Sequence, residues 1–299
     1  MTRHFSVSIA FALLLCGCGD SPDPASLANT KFHKSNGFVE PEDWDTAIAS
    51  YSEAIRLKPD DVDAYFQRGY AYDEKGEHDA AIKDFSEAIR LKPDFAEAYN
   101  NRGNAHYNKG ETHKAIKDFS EAVRLEPDNA EAYNNCGVAH ADKGEYDAAI
   151  KDYSESIRLK PDHAKAYYNR GNAHADKGEI GKALKDYSEA IRLKPDHASA
   201  YYSRGNAYNG KGETDKAIKG YSEAIRLKPD HANAYYNRGS LYDDKGEFDS
   251  AIKDYSEAIR LKPDDPDFYN NRGVTHQKNG DQSKADADFA KAKELRAKK

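Results

Sequence analysis

The chain has 299 residues, of which 38% are hydrophobic and 32% are charged, and its formal net charge is −7. Because proteins that bind nucleic acid carry a basic surface, this charge argues against a nucleic-acid partner. Three Cys residues without a C-x-x-C pair argue against a zinc or disulfide scaffold. The low hydrophobic content is typical of disorder, yet 21 Tyr and 11 Phe favour a chain that builds its core by repetition.

The N-terminal residues have the features of a secretory signal peptide. One Arg and one His precede an apolar run over residues 5–15, which is too short for a permanent membrane-spanning helix. The Leu-Cys-Gly-Cys segment at residues 15–18 resembles the lipobox of bacterial lipoproteins, in which the last Cys is lipidated after cleavage before it. The resemblance implies a signal peptide over residues 1–17, a lipidated Cys18 and a tether over residues 18–27. The alternative is an ordinary secretory peptide that ends in Cys.

Prolines recur every 34 residues without a change of register. They are Pro59, Pro93, Pro127, Pro161, Pro195, Pro229 and Pro263. Counting from them predicts seven repeats, with bounds 62–95, 96–129, 130–163, 164–197, 198–231, 232–265 and 266–299. A degenerate repeat is predicted over residues 28–61, with a regular second helix from Trp44 to Leu57.

Each repeat reads as two helices. In the repeat 96–129, apolar, glycine and aromatic positions recur at helical spacing on both sides of Gly110. Gly110 suits a left-handed helix C-cap, Pro127 ends the second helix, and Asp128 is predicted to cap the helix that follows. Neither helix buries much surface alone, so the repeats are predicted to form one continuous core by stacking.

The recurring residues resemble the signature of the tetratricopeptide repeat (TPR). In one repeat they are Tyr99, Gly103, His106, Ala115, Phe119, Ala122 and Pro127. The resemblance covers residues 28–299 and implies an all-α, right-handed superhelical α-solenoid of antiparallel helix pairs. In one column the family often has Leu, whereas this chain has Arg in six full repeats and Cys136 in the seventh. The aliphatic part of Arg can still cover apolar surface.

The last repeat differs from the others in two columns of its second helix. One column reads Ile48, Ile82, Ile116, Ile150, Leu184, Ile218, Ile252 and then Asp286. The other reads Ile55, Ile89, Val123, Ile157, Ile191, Ile225, Ile259 and then Lys293. Because only the last repeat turns polar, we predict that both columns face the next repeat and that the last repeat is its own cap.

Candidate catalytic and metal-binding residues are explained by repetition. His106, His140, His174 and His276 share one column, but equivalent residues of stacked helix pairs lie about 8–10 Å apart. Zinc holds its ligands about 2 Å from one centre, so we predict no metal and no cofactor. No nucleophile–base pattern or phosphate loop stands out, and an enzyme is not expected. Cys136 is predicted to be a buried structural thiol.

The TPR resemblance implies that the first helices line a concave, ligand-binding face. Three columns are predicted to form a peptide-binding groove on that face. They contribute Gln67, Asn101, Asn135, Asn169, Asn237 and Asn271; Asn104, Asn172 and Asn206; and Tyr168, Tyr202 and Tyr236. Asn suits the backbone of an extended peptide, Tyr adds rigid contact area, and the first column resembles the asparagine ladder of O-GlcNAc transferase. The alternative is that duplication copied tolerated polar residues.

The charges near this face favour a particular class of partner. Lys165 and Lys278 are its candidate cations, whereas six acidic residues are predicted to border it: Asp63, Glu97, Glu131, Asp142, Asp176 and Asp244. A neutral or basic protein segment is therefore the expected partner, and no small-molecule substrate is expected.

The sequence leaves two hypotheses about the cellular role. The resemblance to bacterial TPR lipoproteins implies a non-catalytic scaffold that binds extended protein segments. Its lipid would hold it at the cell envelope, facing the periplasm, at an inner or outer membrane that the sequence leaves undecided. The alternative is a cytosolic TPR adaptor, similar to a co-chaperone, whose N-terminus is not a signal peptide.

Overall fold

The computed structural model describes residues 44–298, and all regular secondary structure in that range is α-helical. The helices are α1 (Trp44–Leu57), α2 (Val62–Glu74), α3 (His78–Leu91), α4 (Ala96–Asn108), α5 (Thr112–Leu125), α6 (Ala130–Asp142), α7 (Tyr146–Leu159), α8 (Ala164–Asp176), α9 (Ile180–Leu193), α10 (Ala198–Gly210), α11 (Thr214–Leu227), α12 (Ala232–Asp244), α13 (Phe248–Leu261), α14 (Pro266–Lys278) and α15 (Gln282–Ala297). The bounds of α1 confirm the second helix predicted for the degenerate repeat. None of these helices is long and apolar enough to cross a membrane.

The described residues divide into two compact units, one that ends at Asp94 and one that begins at Phe95. In the first unit, α2 packs against both α1 and α3. In the second unit, helix pairs follow one another from α4–α5 to α14–α15, and the second helix of each pair packs on the first helix of the next. This arrangement confirms the predicted all-α solenoid of helix pairs.

A glycine turn joins the two helices of each repeat. Gly110 has a φ of 76°, and the N–H of Glu111 donates to the carbonyl of His106 at 2.8 Å. The N–H of Gly110 donates to the carbonyl of Tyr107 at 2.8 Å, so the two bonds form a Schellman motif. Six equivalent glycines also have a positive φ: Gly76, Gly144, Gly178, Gly212, Gly246 and Gly280. The predicted left-handed cap is therefore confirmed throughout the described repeats.

The predicted cap at the start of α6 is wrong by one residue. The side chain of Asn129, rather than that of Asp128, accepts from the N–H of Ala132 at 3.0 Å. Asn129 adopts the extended conformation that a capping residue requires, because its side chain must fold back over the first turn.

Within each repeat, a second glycine lets the two helices approach closely. In the repeat 130–163, a Cβ on Gly137 of α6 would lie 2.7 Å from Cε1 of Tyr153 on α7. The Tyr153 ring is 2% exposed and occupies the space that a side chain at Gly137 would need. The glycine column and the aromatic column therefore pack against each other, and the ring fills the space that the missing side chain leaves.

Replacing this glycine tests the contact. Gly137→Leu should lower the free energy of unfolding by about 1–3 kcal/mol, because the added side chain overpacks the Tyr153 site. Gly210→Leu is the matched control, since a Cβ on Gly210 meets no heavy atom within 4 Å. Chemical denaturation of both variants checks the prediction, and equal midpoints would show that Gly137 does not lie at a tight contact.

The apolar columns of the second helices face the next repeat, as predicted. Ile116 packs with Cys136 and Ala139 of the following repeat, and Ile225 packs with Ala234. The same relation holds for Ile150, Leu184, Ile191 and Ile259. In the last repeat, the corresponding residues Asp286 and Lys293 are exposed. The polar end of the array therefore matches a helix that covers no further repeat in the described chain.

Restoring apolar residues at this end should create an exposed apolar surface that promotes self-association. Asp286→Ile with Lys293→Ile leaves two Ile side chains uncovered, and burying both is worth about 3–6 kcal/mol. We expect the double variant to self-associate in light scattering. Lys253→Ile with Arg260→Ile, which places two Ile residues at the same spacing on the exposed side of α13, is the control. A monomeric end variant would contradict the capping role.

Candidate functional site

An ion pair links the two helices inside five described repeats. In the repeat 164–197, Nε and Nη2 of Arg170 donate to the two carboxylate oxygens of Asp186, each at 2.8 Å. Nη1 donates to Oγ of Ser154 in the preceding repeat at 3.0 Å. The same bidentate pair occurs as Arg68–Asp84, Arg102–Asp118, Arg238–Asp254 and Arg272–Asp288. The Arg column thus does more than cover apolar surface: it binds an Asp found 16 residues later.

The surroundings of this pair stabilise the positive charge of the Arg side chain. Its hydrogen bonds to Asp186 raise the pKa of the Arg170 guanidinium above the ordinary Arg value. Asp186 is buried, and the guanidinium carbon of Arg170 lies 5.5 Å from the ring centroid of Tyr167, one helical turn earlier. A guanidinium between a carboxylate and a ring face is a stable place for a positive charge.

Two repeats break this pattern in opposite ways. In the repeat 130–163, Cys136 replaces the Arg, and Oδ2 of Asp152 is buried without a hydrogen-bond partner. In the repeat 198–231, Gly220 replaces the Asp, and Nε of Arg204 is buried without a partner. Burial raises the pKa of Asp152 above its ordinary value. Asp152 therefore lacks the guanidinium that accompanies the equivalent Asp in the five intact pairs.

The predicted Asn column connects neighbouring repeats. Nδ2 of Asn135 donates to Oδ1 of Asn100 and Oδ1 of Asn104, both at 3.3 Å. Nδ2 of Asn169 donates to Oδ1 of Asn134 at 3.1 Å. The acceptors at 100 and 134 lie 35 residues before their donors, so each bond crosses from one first helix to the next. These amides therefore contribute to the stacking of repeats as well as to the surface.

Further along the array, the same column binds Tyr hydroxyls. Nδ2 of Asn237 donates to the hydroxyl of Tyr202 at 3.0 Å and to Oδ1 of Asn206 at 3.2 Å. Nδ2 of Asn271 donates to the hydroxyl of Tyr236 at 2.7 Å. Hydrogen bonds thus join the predicted Asn column to the predicted Tyr column. The sequence placed both columns on one face but did not predict these bonds.

The predicted Tyr column is half-buried between repeats. The ring centroid of Tyr168 lies 4.8 Å from that of His197 in the next repeat and 6.1 Å from that of Tyr187. Tyr202 makes the equivalent contacts with His231 and Tyr221. Tyr236 packs on Phe268 and Tyr255. These rings fill volume between repeats, and the hydroxyls of Tyr202 and Tyr236 bind the Asn column.

An open pocket of about 410 Å³ lies between the repeats 164–197 and 198–231. Two predicted site residues, Asn172 and Asn206, line it together with Ser203 and Asp176. Oδ1 of Asn172 accepts from the Tyr187 hydroxyl at 2.9 Å, and Oδ1 of Asn206 accepts in the same way from Tyr221 at 2.8 Å. Because these bonds occupy the acceptor of each amide, they direct its Nδ2 donors away from the Tyr hydroxyl.

The remaining predicted site residues lie on first helices or outside the described chain. Gln67 is half-buried on α2, in the first compact unit. Oδ1 of Asn101 on α4 accepts from Nδ2 of Asn100 at 3.4 Å. Cys18, the signal peptide and the tether lie outside the described residues.

Acidic groups dominate the exposed side of the first helices. The six acidic residues named from the sequence are all exposed. Lys165 is exposed as well, whereas Lys278 binds Asp243 at 2.5 Å and so has its charge partly neutralised. The charge distribution accordingly favours cations near this side of the molecule.

Within residues 44–298, Ser156, His163 and Glu131 form an arrangement that sequence spacing does not reveal. Oγ of Ser156 lies 2.9 Å from Nδ1 of His163, whose Nε2 lies 3.3 Å from the Glu131 carboxylate. Ser156 replaces the Ala of other repeats and is 0% exposed. A hydroxyl without any exposure cannot reach a substrate, so this arrangement is a buried hydrogen-bond network.

Tandem helix pairs with a glycine turn and a 34-residue period define a TPR-type solenoid. Models of the tetratricopeptide repeat match residues 36–76, 74–110, 103–144, 139–178, 171–212, 205–246, 239–280 and 266–299. The chain belongs to the TPR family. A comparison with curated protein sequences gives no match.

Several solved structures resemble this chain. MamA is 31% identical over 54% of this chain and 95% of its own, with a TM-score of 0.52. YrrB, described as a TPR protein with an unusual peptide-binding site, is 23% identical over 63% of this chain and 97% of its own, with a TM-score of 0.54. The C-terminal part of a TPR protein from Cytophaga hutchinsonii is 20% identical over 80% of this chain and 95% of its own, with a TM-score of 0.63. The similarities to YrrB and to the Cytophaga protein, at 23% and 20% identity, are similarities of fold.

Proposed function

We propose that this protein is a scaffold that binds extended protein segments along the first helices of residues 95–299. The observation that carries the proposal is the pocket lined by Asn172 and Asn206. An amide whose acceptor is held by Tyr187 or Tyr221 keeps N–H donors for the carbonyls of an extended peptide. YrrB has this fold and is described as having a peptide-binding site, and we extend peptide binding to this chain.

We propose further that the bound segment is neutral or basic. Asp176 lines the pocket, and Glu131 and Asp142 are exposed on a neighbouring first helix. An acidic segment would be repelled by these carboxylates, whereas Lys or Arg side chains would be attracted to them. Labelled unstructured peptides that are neutral, rich in Lys or rich in Glu separate the cases by fluorescence anisotropy. Preferential binding of the Glu-rich peptide would contradict the proposal.

The contribution of the Asn column can be measured with that Lys-rich peptide. Changing Asn101, Asn135 and Asn169 together to Ala should weaken binding by about 1.5–4.5 kcal/mol, because three hydrogen bonds of about 0.5–1.5 kcal/mol are lost. The melting temperature should also fall, since Asn135 and Asn169 bond to the preceding repeat. Anisotropy titration well below the melting transition isolates the effect on binding.

The matched control places the same three changes on the second helices. Lys117, Lys151 and Lys185 are exposed, and changing them together to Ala should leave both affinity and melting temperature close to those of the native protein. Equal affinity for the two triple variants would mean that the Asn column stabilises the array only and that the partner docks elsewhere.

We also propose that a lipid on Cys18 holds the scaffold at the cell envelope, facing the periplasm. The support is the Leu-Cys-Gly-Cys segment at residues 15–18 after an apolar run. Cys18→Ser should abolish labelling by a radioactive fatty acid and shift the protein out of the membrane fraction or block its processing. Cys16→Ser is the matched control and should keep both the label and the membrane location. A label that persists in the Cys18 variant would contradict the assignment of Cys18. A native protein that takes up no label and stays out of the membrane fraction would favour the alternative, a cytosolic adaptor whose N-terminus is not a lipoprotein signal.

A further inference from the structure

Three metal-ligating side chains meet inside the repeat that lacks its Arg. Cys136 and His140 lie one helical turn apart on the same face of α6, and Asp152 projects from α7. Their ligating atoms all lie within 4.8 Å of one another, and Nε2 of His140 is 3.8 Å from Oδ2 of Asp152. Ligand atoms around a tetrahedral zinc ion lie about 3.3–3.8 Å apart for the usual bond lengths, so small side-chain rotations would close the site.

The histidine is already oriented for a metal. Nδ1 of His140 lies 2.6 Å from the Glu145 carboxylate, which is therefore its hydrogen-bond acceptor. This bond fixes the proton on Nδ1 and directs the lone pair of Nε2 toward Asp152 and Cys136. Lys143 in turn binds Glu145, so the carboxylate is held in place. A carboxylate that orients a histidine in this way is the usual second layer of a metal site.

The neighbouring repeats show that a cation belongs at this position. His174 has the same bond to Glu179, and its Nε2 lies 3.9 Å from Oδ2 of Asp186. There the Arg170 guanidinium supplies the positive charge that Asp186 needs. In the repeat 130–163, Cys136 replaces that Arg, and Oδ2 of Asp152 has no hydrogen-bond partner.

We propose that Cys136, His140 and Asp152 bind one divalent transition-metal ion of the zinc class. Sulfur, imidazole nitrogen and carboxylate oxygen together suit Zn²⁺ and leave a fourth position for water or a partner's side chain. The ion replaces the guanidinium as the link between α6 and α7. This proposal departs from the sequence-based expectation of no metal, which considered only equivalent residues of different repeats.

The site is closed on the sulfur side and open on the other. Cys136 is buried, whereas the side chains of His140 and Asp152 are 20% and 17% exposed. Metal binding transfers the thiol proton of Cys136 to solvent and forms the metal–thiolate bond, which makes the affinity rise with pH.

Cobalt is a suitable probe because a Co²⁺–thiolate bond produces a charge-transfer band in the near ultraviolet. The experiment uses the full untagged chain with Cys16→Ser and Cys18→Ser, which leaves Cys136 as its one thiol. Titration with Co²⁺ should produce this band with one equivalent bound, and Zn²⁺ should displace it. Glu145→Gln should weaken Co²⁺ binding about 10–100-fold, because Glu145 is a positioning residue that orients His140.

Two variants follow substitutions that the other repeats already contain. Cys136→Arg restores the common ion pair with Asp152 and should abolish the band while raising the melting temperature. His140→Tyr introduces the residue found at Tyr72, Tyr208 and Tyr242 and should reduce Co²⁺ affinity at least tenfold. Arg170→Cys should create a second site with His174 and Asp186 and so double the band.

The outcomes decide the proposal. A band that requires Cys136 and His140, together with a Zn²⁺-dependent rise in the melting temperature of the native repeat only, supports the site. Absence of the band at Co²⁺ concentrations well above that of the protein would overturn it, as would equal Co²⁺ binding by the Cys136→Arg variant. In either of those cases the cluster is a buried thiol beside a carboxylate and nothing more.

Discussion

The structure depends on the burial of apolar surface between neighbouring repeats. Each repeat covers an apolar face that its neighbour cannot bury alone. A 34-residue helix pair has apolar residues on two faces, and only one face is used inside the pair. Ile225 of α11 loses its contact with water by packing on Ala234 of α12, and Ile259 of α13 does so on Phe268 of α14. The last described helix fits this dependence. Its residues at the same positions, Asp286 and Lys293, are polar and exposed, because no described repeat covers them.

Close approach of the helices explains how so hydrophilic a chain has a core. Glycines such as Gly137 bring the backbone of a first helix within reach of an aromatic ring such as Tyr153, so one ring fills the space that several aliphatic side chains would occupy. The same closeness lets Arg170 reach Asp186 and Ser154 at once. Charges such as those of Arg170 and Asp186 can therefore lie in the interior, because they are paired and hydrogen-bonded there.

Repetition makes the exceptions informative. When five repeats hold the same Arg–Asp pair, a Cys at position 136 beside Asp152, whose Oδ2 has no hydrogen-bond partner, is a local change of chemistry. Gly220 shows a different outcome: a Cβ there would lie 2.9 Å from Cα of Gly205, so the helices have closed over the missing side chain. One exception brings three ligand atoms together, whereas the other tightens the packing and leaves Arg204 incompletely bonded.

The helix pairs, the glycine turns, the start of α1 and the polar end of the array could all be predicted from the sequence, because each depends on local backbone preferences or on a column of one polarity. It also predicted the columns of Asn and Tyr. What those columns contact became visible in the folded chain alone: Asn237 binds Tyr202 across a repeat boundary, and Cys136, His140 and Asp152 lie close together. Sequence spacing specifies the face of a helix, whereas a hydrogen bond or a metal site needs atoms of two helices within a few ångströms. That distance is fixed by how closely the glycine columns let the helices pack.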